Sequence, residues 1–267
     1  MTAWSRLAYS SLQRVSSVVN SFVRAKSNGV YNKANGIGCF RLWKIAKLGK
    51  VVEEVAFERP TRWGEIPVKH LFQKHAKKSS KLAVLFPGRE YPQSAPLMWY
   101  AAKSAFSAGY DVLGIEYGYQ ANRTDLRMDD LDVLVSEAID AMDQVMPDSY
   151  REVTFIGKSL GTMVQASVAQ KISFSVGSHV FLTPLKPVIP FIQETQRSLV
   201  IVGDCDPLFE ATDIPHIANR SNVDVSVIAG ANHALETEDV SESIRILGQT
   251  ATLCEDFLRN AKDGNGG

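Results

Sequence analysis

The feature that most constrains the fold is the pentapeptide Gly-Lys-Ser-Leu-Gly at 157–161, which directly follows the apolar run Val-Thr-Phe-Ile at 153–156. A strand rich in β-branched residues thus leads into a serine flanked by glycines, and a segment with helical character, 162–171, comes next. This strand–turn–helix context predicts a nucleophile elbow, in which the hydroxyl of Ser159 is exposed on a tight turn. The alternative is a glycine-rich turn without a nucleophile.

The remainder of the chain predicts one large α/β domain. The chain has 267 residues, and from residue 51 onward apolar runs alternate with helical segments. Helices between strands imply right-handed crossovers, and continuous apolar strands imply burial on both faces. We therefore predict a mostly parallel, doubly wound sheet with helices on both faces. An antiparallel hairpin of residues 51–58 and 66–73 is expected to precede it.

The charge distribution divides the chain near residue 52. Residues 1–52 contain nine Lys or Arg and no Asp or Glu, whereas the rest contains 20 basic and 29 acidic residues, a formal charge of −9. We interpret 1–52 as a basic amphipathic N-terminal extension and linker. Residues 53–260 are then the α/β domain, and 261–267 are a flexible C-terminal tail.

Residues 1–26 allow three interpretations. They are rich in serine and carry apolar residues at three- and four-residue spacing, which draws an apolar stripe on a helix. This composition is typical of a mitochondrial-like presequence, of a basic helix that contacts a membrane surface peripherally, or of a helix docked on the domain's own core. We predict a cytoplasmic location, with organelle targeting through a mitochondrial-like presequence as the alternative.

Cysteine content excludes two classes of protein. The three cysteines are far apart and form no C-x-x-C motif, so neither a disulfide framework nor a cysteine-based zinc site is expected, and a reducing compartment is favoured. No segment is long and apolar enough to span a membrane. No nucleic-acid-binding module is recognisable, and we expect no nucleic-acid partner.

Candidate catalytic residues follow three of the predicted strands, where the loops of such sheets bind ligands. After Ser159, Asp206 and Asp204 follow the apolar run at 199–202, and His233 follows the last predicted strand at 223–228. A histidine can remove the serine proton, and a carboxylate can orient the histidine. The two aspartates compete for that role at this stage.

From about residue 53 to 260 the chain resembles a compact, lidless α/β hydrolase. The resemblance rests on the elbow Phe-Ile-Gly-Lys-Ser-Leu-Gly-Thr at 155–162 and on Phe-Leu-Thr-Pro-Leu at 181–185. It implies a triad of Ser159, Asp206 and His233. Asp206 is preferred over Asp204 because the family spaces its acid three residues after the strand's glycine. The implied activity is that of a serine hydrolase that cleaves a carboxylic ester or thioester through an acyl-enzyme intermediate.

The oxyanion of such a reaction needs two backbone donors, and we assign them to the amides of Leu160 and Arg89. The cations of Arg89 and Lys158 could favour an anionic substrate, but solvated surface charge is the favoured interpretation, or an ion pair in the case of Lys158. Tyr91, Met98 and Trp99 are candidates for an apolar acyl pocket, with simple packing against the sheet as the alternative.

The mechanism requires no metal and no cofactor, and the partner is a small-molecule ester or thioester. Only about a dozen residues separate Leu185 from Ser198, which leaves no room for an inserted cap and predicts an open site. The alternative function is a non-catalytic scaffold or binding protein that keeps the fold without the activity.

Overall fold

A computed structural model describes residues 41–47, 50–146 and 150–260 of the chain. In these residues nine strands form one sheet in the order β1-β2-β3-β5-β4-β6-β7-β8-β9. The strands are β1 Arg41–Lys47, β2 Lys50–Thr61, β3 Gly64–His75, β4 Lys81–Phe86, β5 Asp111–Gly114, β6 Glu152–Lys158, β7 Ser178–Leu182, β8 Ser198–Gly203 and β9 Val223–Ile228.

Strands β4 to β9 are parallel to one another, and the sheet core is built on them. Successive side chains of a strand point to opposite faces. In β4, Leu82, Val84 and Phe86 therefore enter one hydrophobic cluster, and Ala83 and Leu85 enter another on the opposite face. Each fully buried leucine contributes about 2 kcal/mol from the transfer of its side chain out of water. The predicted doubly wound sheet is confirmed.

Helices cover both faces. They are α1 Pro96–Ser107, α2 Gly118–Asn122, α3 Leu131–Asp143, α4 Leu160–Lys171, α5 Ile189–Glu194, α6 Pro215–Ala218 and α7 Val240–Arg259. Residues of α1 and α7 share one hydrophobic cluster, whereas residues of α3 and α4 share the cluster on the other face. None of the described helices is long and apolar enough to cross a bilayer.

The antiparallel hairpin predicted at 51–58 and 66–73 is formed by the longer strands β2 and β3. A further strand, β1, pairs antiparallel with β2 and was not expected from the sequence. The sheet therefore begins at Arg41, and the boundary proposed at residue 52 falls inside β2. The change in charge near residue 52 therefore does not coincide with an end of the sheet, because β2 continues through it. The segments interpreted as an amphipathic helix, 1–26, and as a tail, 261–267, lie outside the described residues.

No large cap covers the carboxyl edge of the sheet in the part of the chain that the structure describes. The connection from β7 to β8 contains one 3₁₀ turn, Lys186–Val188, and the short helix α5. At this edge β4 lies between β5 and β6, which is the point where the order of the strands reverses. In open α/β sheets such a point forms a crevice where ligands bind.

The first turn of α4 approaches the end of β4 closely, and this contact depends on Gly161. A Cβ placed on Gly161 would collide with the carbonyl oxygen of Phe86 and would lie 2.6 Å from that of Pro87. Both obstacles are backbone atoms, so a side chain cannot be accommodated by rotation of a neighbour. The loop after β4 is held against the elbow by this approach.

We predict that Gly161→Ala lowers the free energy of unfolding by about 3 kcal/mol, because the added methyl forces two backbone segments apart. The matched control is Gly248→Ala in the exposed middle of α7, where an added Cβ has no atom within 4 Å. That change should raise the free energy of unfolding by about 1 kcal/mol through helix propensity. Urea denaturation measures both, and equal effects of the two changes would contradict the packing argument.

Candidate active site

Ser159 occupies the turn between β6 and α4 with φ 52° and ψ −117°. A non-glycine residue in this region is strained and must be held by its surroundings. The backbone amide of Ser159 donates to the carbonyl oxygen of Leu182 at 3.0 Å, and its carbonyl oxygen accepts from the side chain of Thr162 at 2.6 Å. The predicted strand–turn–helix geometry is therefore present, with the serine at its sharpest point.

The structure brings together the three side chains that the sequence selected. His233 Nδ1 lies 2.8 Å from Asp206 Oδ2, and His233 Nε2 lies 2.8 Å from Ser159 Oγ. An ionised carboxylate can only accept hydrogen bonds, so Nδ1 carries the ring proton and donates to Asp206. Nε2 is then free to accept from the Ser159 hydroxyl, which is the arrangement required of a base.

The two candidate acids occupy different environments. The Asp206 side chain is fully buried, and its second oxygen accepts from the amide of Leu208 at 2.8 Å. Asp204 does not contact His233: its carboxylate accepts from the amide of Gly230 at 2.6 Å. Asp204 thus fastens the loop after β9, and Asp206 is the acid that reaches the histidine.

The loop that carries His233 is organised by Asn232, a residue that the sequence did not single out. The Asn232 side-chain oxygen accepts from the amides of Ala234, at 2.8 Å, and Glu236, at 3.2 Å. This closes a tight turn around the histidine, a type of bonding typical of asparagine. In the sequence, only the position of Asn232 directly before His233 could have indicated this role.

The loop after β4 is fixed by α2, which was not predicted. Gln120 donates to the carbonyl oxygens of Gly88 and Arg89 at 2.9 Å each, and the Tyr119 hydroxyl donates to that of Arg89 at 2.5 Å. In a trans peptide the N–H points opposite to the preceding C=O, so the Arg89 amide points away from α2. The Leu160 amide belongs to the first turn of α4, where N–H groups have no acceptor within the helix.

The two cations near the site differ in their exposure. The Arg89 side chain is exposed and donates to the carbonyl oxygen of Leu126 at 3.2 Å. Lys158 is only 3% exposed, and its Nζ donates to the carbonyl oxygen of His233 at 3.2 Å. For Lys158 the sequence favoured an ion pair with an acid, but its hydrogen bond goes to a backbone carbonyl, and the carboxylates of Asp206 and Glu236 act on it only through their charge. The residue ends the buried strand β6, where its stem is enclosed by the neighbouring loops.

An apolar cleft of about 320 Å³ lies beside the His233 loop, between the first turns of α1 and α7. It is lined chiefly by Leu97, Ala234, Leu235, Val240, Ile244 and Leu247. Of the three residues expected in an apolar pocket, Tyr91 lines this cleft. Met98 is fully buried in the core, and Trp99 is exposed on α1 outside the lining.

A parallel sheet with a serine on a strained turn after a central strand defines the class of α/β hydrolases. The model of the alpha/beta hydrolase domain family matches residues 81–258, which is more than half of the chain, and the chain belongs to this family. A search of curated proteins finds no match in sequence.

Solved structures of the same fold include several hydrolases. A lidless α/β serine hydrolase from Xanthomonas campestris has a TM-score of 0.61 at 13% identity over 80% of this chain and 97% of its own. A cold-adapted esterase from an Arctic intertidal metagenomic library has a TM-score of 0.59 at 13% identity, over 82% of this chain and 99% of its own. The esterase Pf2001 of Pyrococcus furiosus has a TM-score of 0.56 at 13% identity, over 86% of this chain and 98% of its own. At such identities the likeness establishes the fold alone.

We predict that Ser159→Gly is more stable than Ser159→Ala by about 1 kcal/mol. Glycine relieves the strain of the positive φ at this position. This gain exceeds the conformational entropy that glycine loses on folding. Ser167, in the interior of α4, is the matched control, because there Gly should be less stable than Ala by about 1 kcal/mol. Thermal or urea unfolding of the four variants tests this, and the same sign at both positions would argue against strain at Ser159.

Proposed function

We propose that this protein is a serine hydrolase that cleaves a carboxylic ester or thioester through an acyl-enzyme intermediate. The observation that carries the proposal is the bridge that His233 makes between Ser159 and Asp206, with 2.8 Å on each side. Membership of the α/β hydrolase family and the shared fold of the lidless serine hydrolase and the esterases support it.

In the proposed reaction His233 Nε2 removes the hydroxyl proton as Ser159 Oγ attacks the acyl carbon. Asp206 stabilises the imidazolium that forms, and the amides of Leu160 and Arg89 donate to the oxyanion. The intermediate collapses when His233 returns the proton to the leaving alcohol or thiol. Water then attacks the acyl-enzyme with His233 again as the base, which releases the carboxylic acid and restores Ser159.

Fluorophosphonate labelling tests the activated serine directly. The wild-type protein should be labelled at Ser159, and Ser159→Ala should not be labelled. A folded wild-type protein that stays unlabelled and hydrolyses no activated ester would refute the proposal and would leave the non-catalytic scaffold as the function to test.

The different roles of the two aspartates predict that substitution of each has a different effect on kcat. Asp206→Asn should lower kcat by roughly 10³- to 10⁴-fold, because the amide no longer stabilises the imidazolium and can favour the wrong histidine tautomer. Asp204→Asn retains an oxygen that can accept from Gly230 and should leave kcat close to that of the wild type. Steady-state hydrolysis of an activated acetyl ester measures both, and equal losses would contradict the assignment.

The apolar cleft supports an ester that carries an apolar chain as the substrate class. Ala234, directly after the proposed base, lines the cleft, which lies between the two helices that start at this edge of the sheet. Val240 and Ile244 on its wall are 73% and 64% exposed, so an apolar chain laid there would remove their side chains from water. About 25 cal/mol per Å² of apolar surface is gained in this way.

Filling the cleft should change chain-length preference. We predict that Ile244→Trp lowers kcat/KM for esters with longer apolar chains about tenfold, while activity on an acetyl ester is retained. The matched control is Ile66→Trp at an exposed position of β3, which should leave the profile unchanged. Two series of esters measure the chain-length preference, one that varies the acyl chain and one that varies the alcohol. If neither series responds to Ile244→Trp, the apolar chain of the substrate does not bind in the cleft.

A further inference from the structure

Lys158 is a buried cation that the reaction described above does not use. It is the last residue of β6 and directly precedes Ser159 in the chain. Removing a charged side chain from water is unfavourable unless specific partners compensate it. The contacts of this ammonium therefore identify what the charge does.

The partners of Lys158 belong to the two loops that flank the elbow. Its Nζ donates to the carbonyl oxygen of His233 at 3.2 Å and lies 4.8 Å from the ring centroid of Tyr91. The stem runs along Gly88, where an added Cβ would lie 3.4 Å from Lys158 Cδ. A single side chain thus contacts the loop that carries the histidine and the loop that carries the proposed oxyanion donor.

We propose that Lys158 is a positioning residue, whose ammonium holds the His233 backbone and the Tyr91 loop against the nucleophile elbow. The inference rests on the proposed serine hydrolase function. Because the lysine adjoins Ser159 in the chain, the link fixes the distance between the loop of the base and the turn of the nucleophile. Displacements of about 1 Å in such a pair can lower a rate about a hundredfold.

The positive charge is essential to this role. A hydrogen bond from an ammonium is about twice as strong as a neutral one, and attraction to an aromatic face requires a cation. A neutral side chain of the same length would fill the space without either interaction. It would also avoid the desolvation of a charge. The lysine therefore holds the two loops in place, but the protein is less stable than it would be with a neutral side chain.

The charged groups around Lys158 set the pH range of the effect. Burial lowers the pKa of Lys158 to about 8, and the negative charges of Asp206, after β8, and Glu236, after β9, oppose that shift. Among the described residues, Lys158 contacts the His233 backbone and the Tyr91 ring, and burial raises the pKa of Tyr91 above its usual value. Below about pH 8 the ammonium is charged and holds both loops. Above it the charge is lost, and the rate should fall.

The test compares the wild type with Lys158→Met and Lys158→Arg. Rates on an activated acetyl ester are followed from pH 6 to 10 and corrected for spontaneous hydrolysis. Lys158→Met should lower kcat ten- to about a hundredfold with little change in KM, and should lose the decline above pH 8. Its melting temperature at pH 7 should not fall, because no charge is buried. Lys158→Arg keeps the charge and should recover part of kcat, with the decline moved to higher pH.

Glu236→Gln provides a variant that leaves Lys158 itself in place. Removing the nearby negative charge should lower the lysine pKa further, so the decline in rate should begin at a lower pH than in the wild type. Glu236 also raises the pKa of Tyr91, so a shift in this variant is assigned to Lys158 only when the decline is absent from Lys158→Met. A decline that stays in place in Glu236→Gln would therefore argue against the lysine as its source.

The outcomes separate the two proposals. Labelling of wild-type Ser159 together with an unchanged kcat and pH profile in Lys158→Met would overturn the positioning role and leave the serine hydrolase intact. Parallel losses of kcat and melting temperature in Lys158→Met, with no recovery in Lys158→Arg and no shift in Glu236→Gln, would also overturn it. An unlabelled, inactive wild type would instead reject the hydrolase proposal.

Discussion

The structure depends on one strained residue, Ser159, whose backbone is held at a positive φ between a buried strand and a helix. Such a conformation persists only when its surroundings fix it. Here β6 is buried between β4 and β7, and α4 packs tightly against the end of β4 because Gly161 has no side chain. The sheet supplies the rigidity that keeps the serine hydroxyl directed at the histidine.

Around this turn, each loop is fixed by a bond to another loop. Asp204 binds the amide of Gly230, and the Cys205 amide donates to the carbonyl oxygen of Ala231 at 3.0 Å, so the acid and histidine loops form one unit. Lys158 joins that unit to the elbow through its hydrogen bond to the carbonyl oxygen of His233. Polar groups near the sheet edge thus position the site, whereas the apolar clusters beneath them provide stability. The buried charge of Lys158 is better explained by its positioning of the site than by a contribution to the free energy of folding.

Much of this could be predicted from the sequence, and the exceptions have physical reasons. Strand β8 contains the apolar run predicted at 199–202, and strand β9 has the predicted bounds 223–228. Strand β1 was missed because its pairing partner, and not its own pattern, makes it a strand. Helix α2 is only five residues long and carries no periodic signal, although its Gln120 fixes the loop after β4. Burial of Lys158 was missed because exposure depends on the neighbouring loops.

The sequence by itself determined the class of fold, the serine turn and the order of serine, acid and histidine along the chain, because these depend on local pattern and on strand order. The tertiary structure established that Asp206, the acid favoured by the family resemblance, is the one that reaches His233, and it alone decided where the apolar cleft opens and what Lys158 contacts. Those three depend on distances between segments far apart in the chain. Such distances are set by how helices pack on the sheet, and no local pattern of residues encodes them.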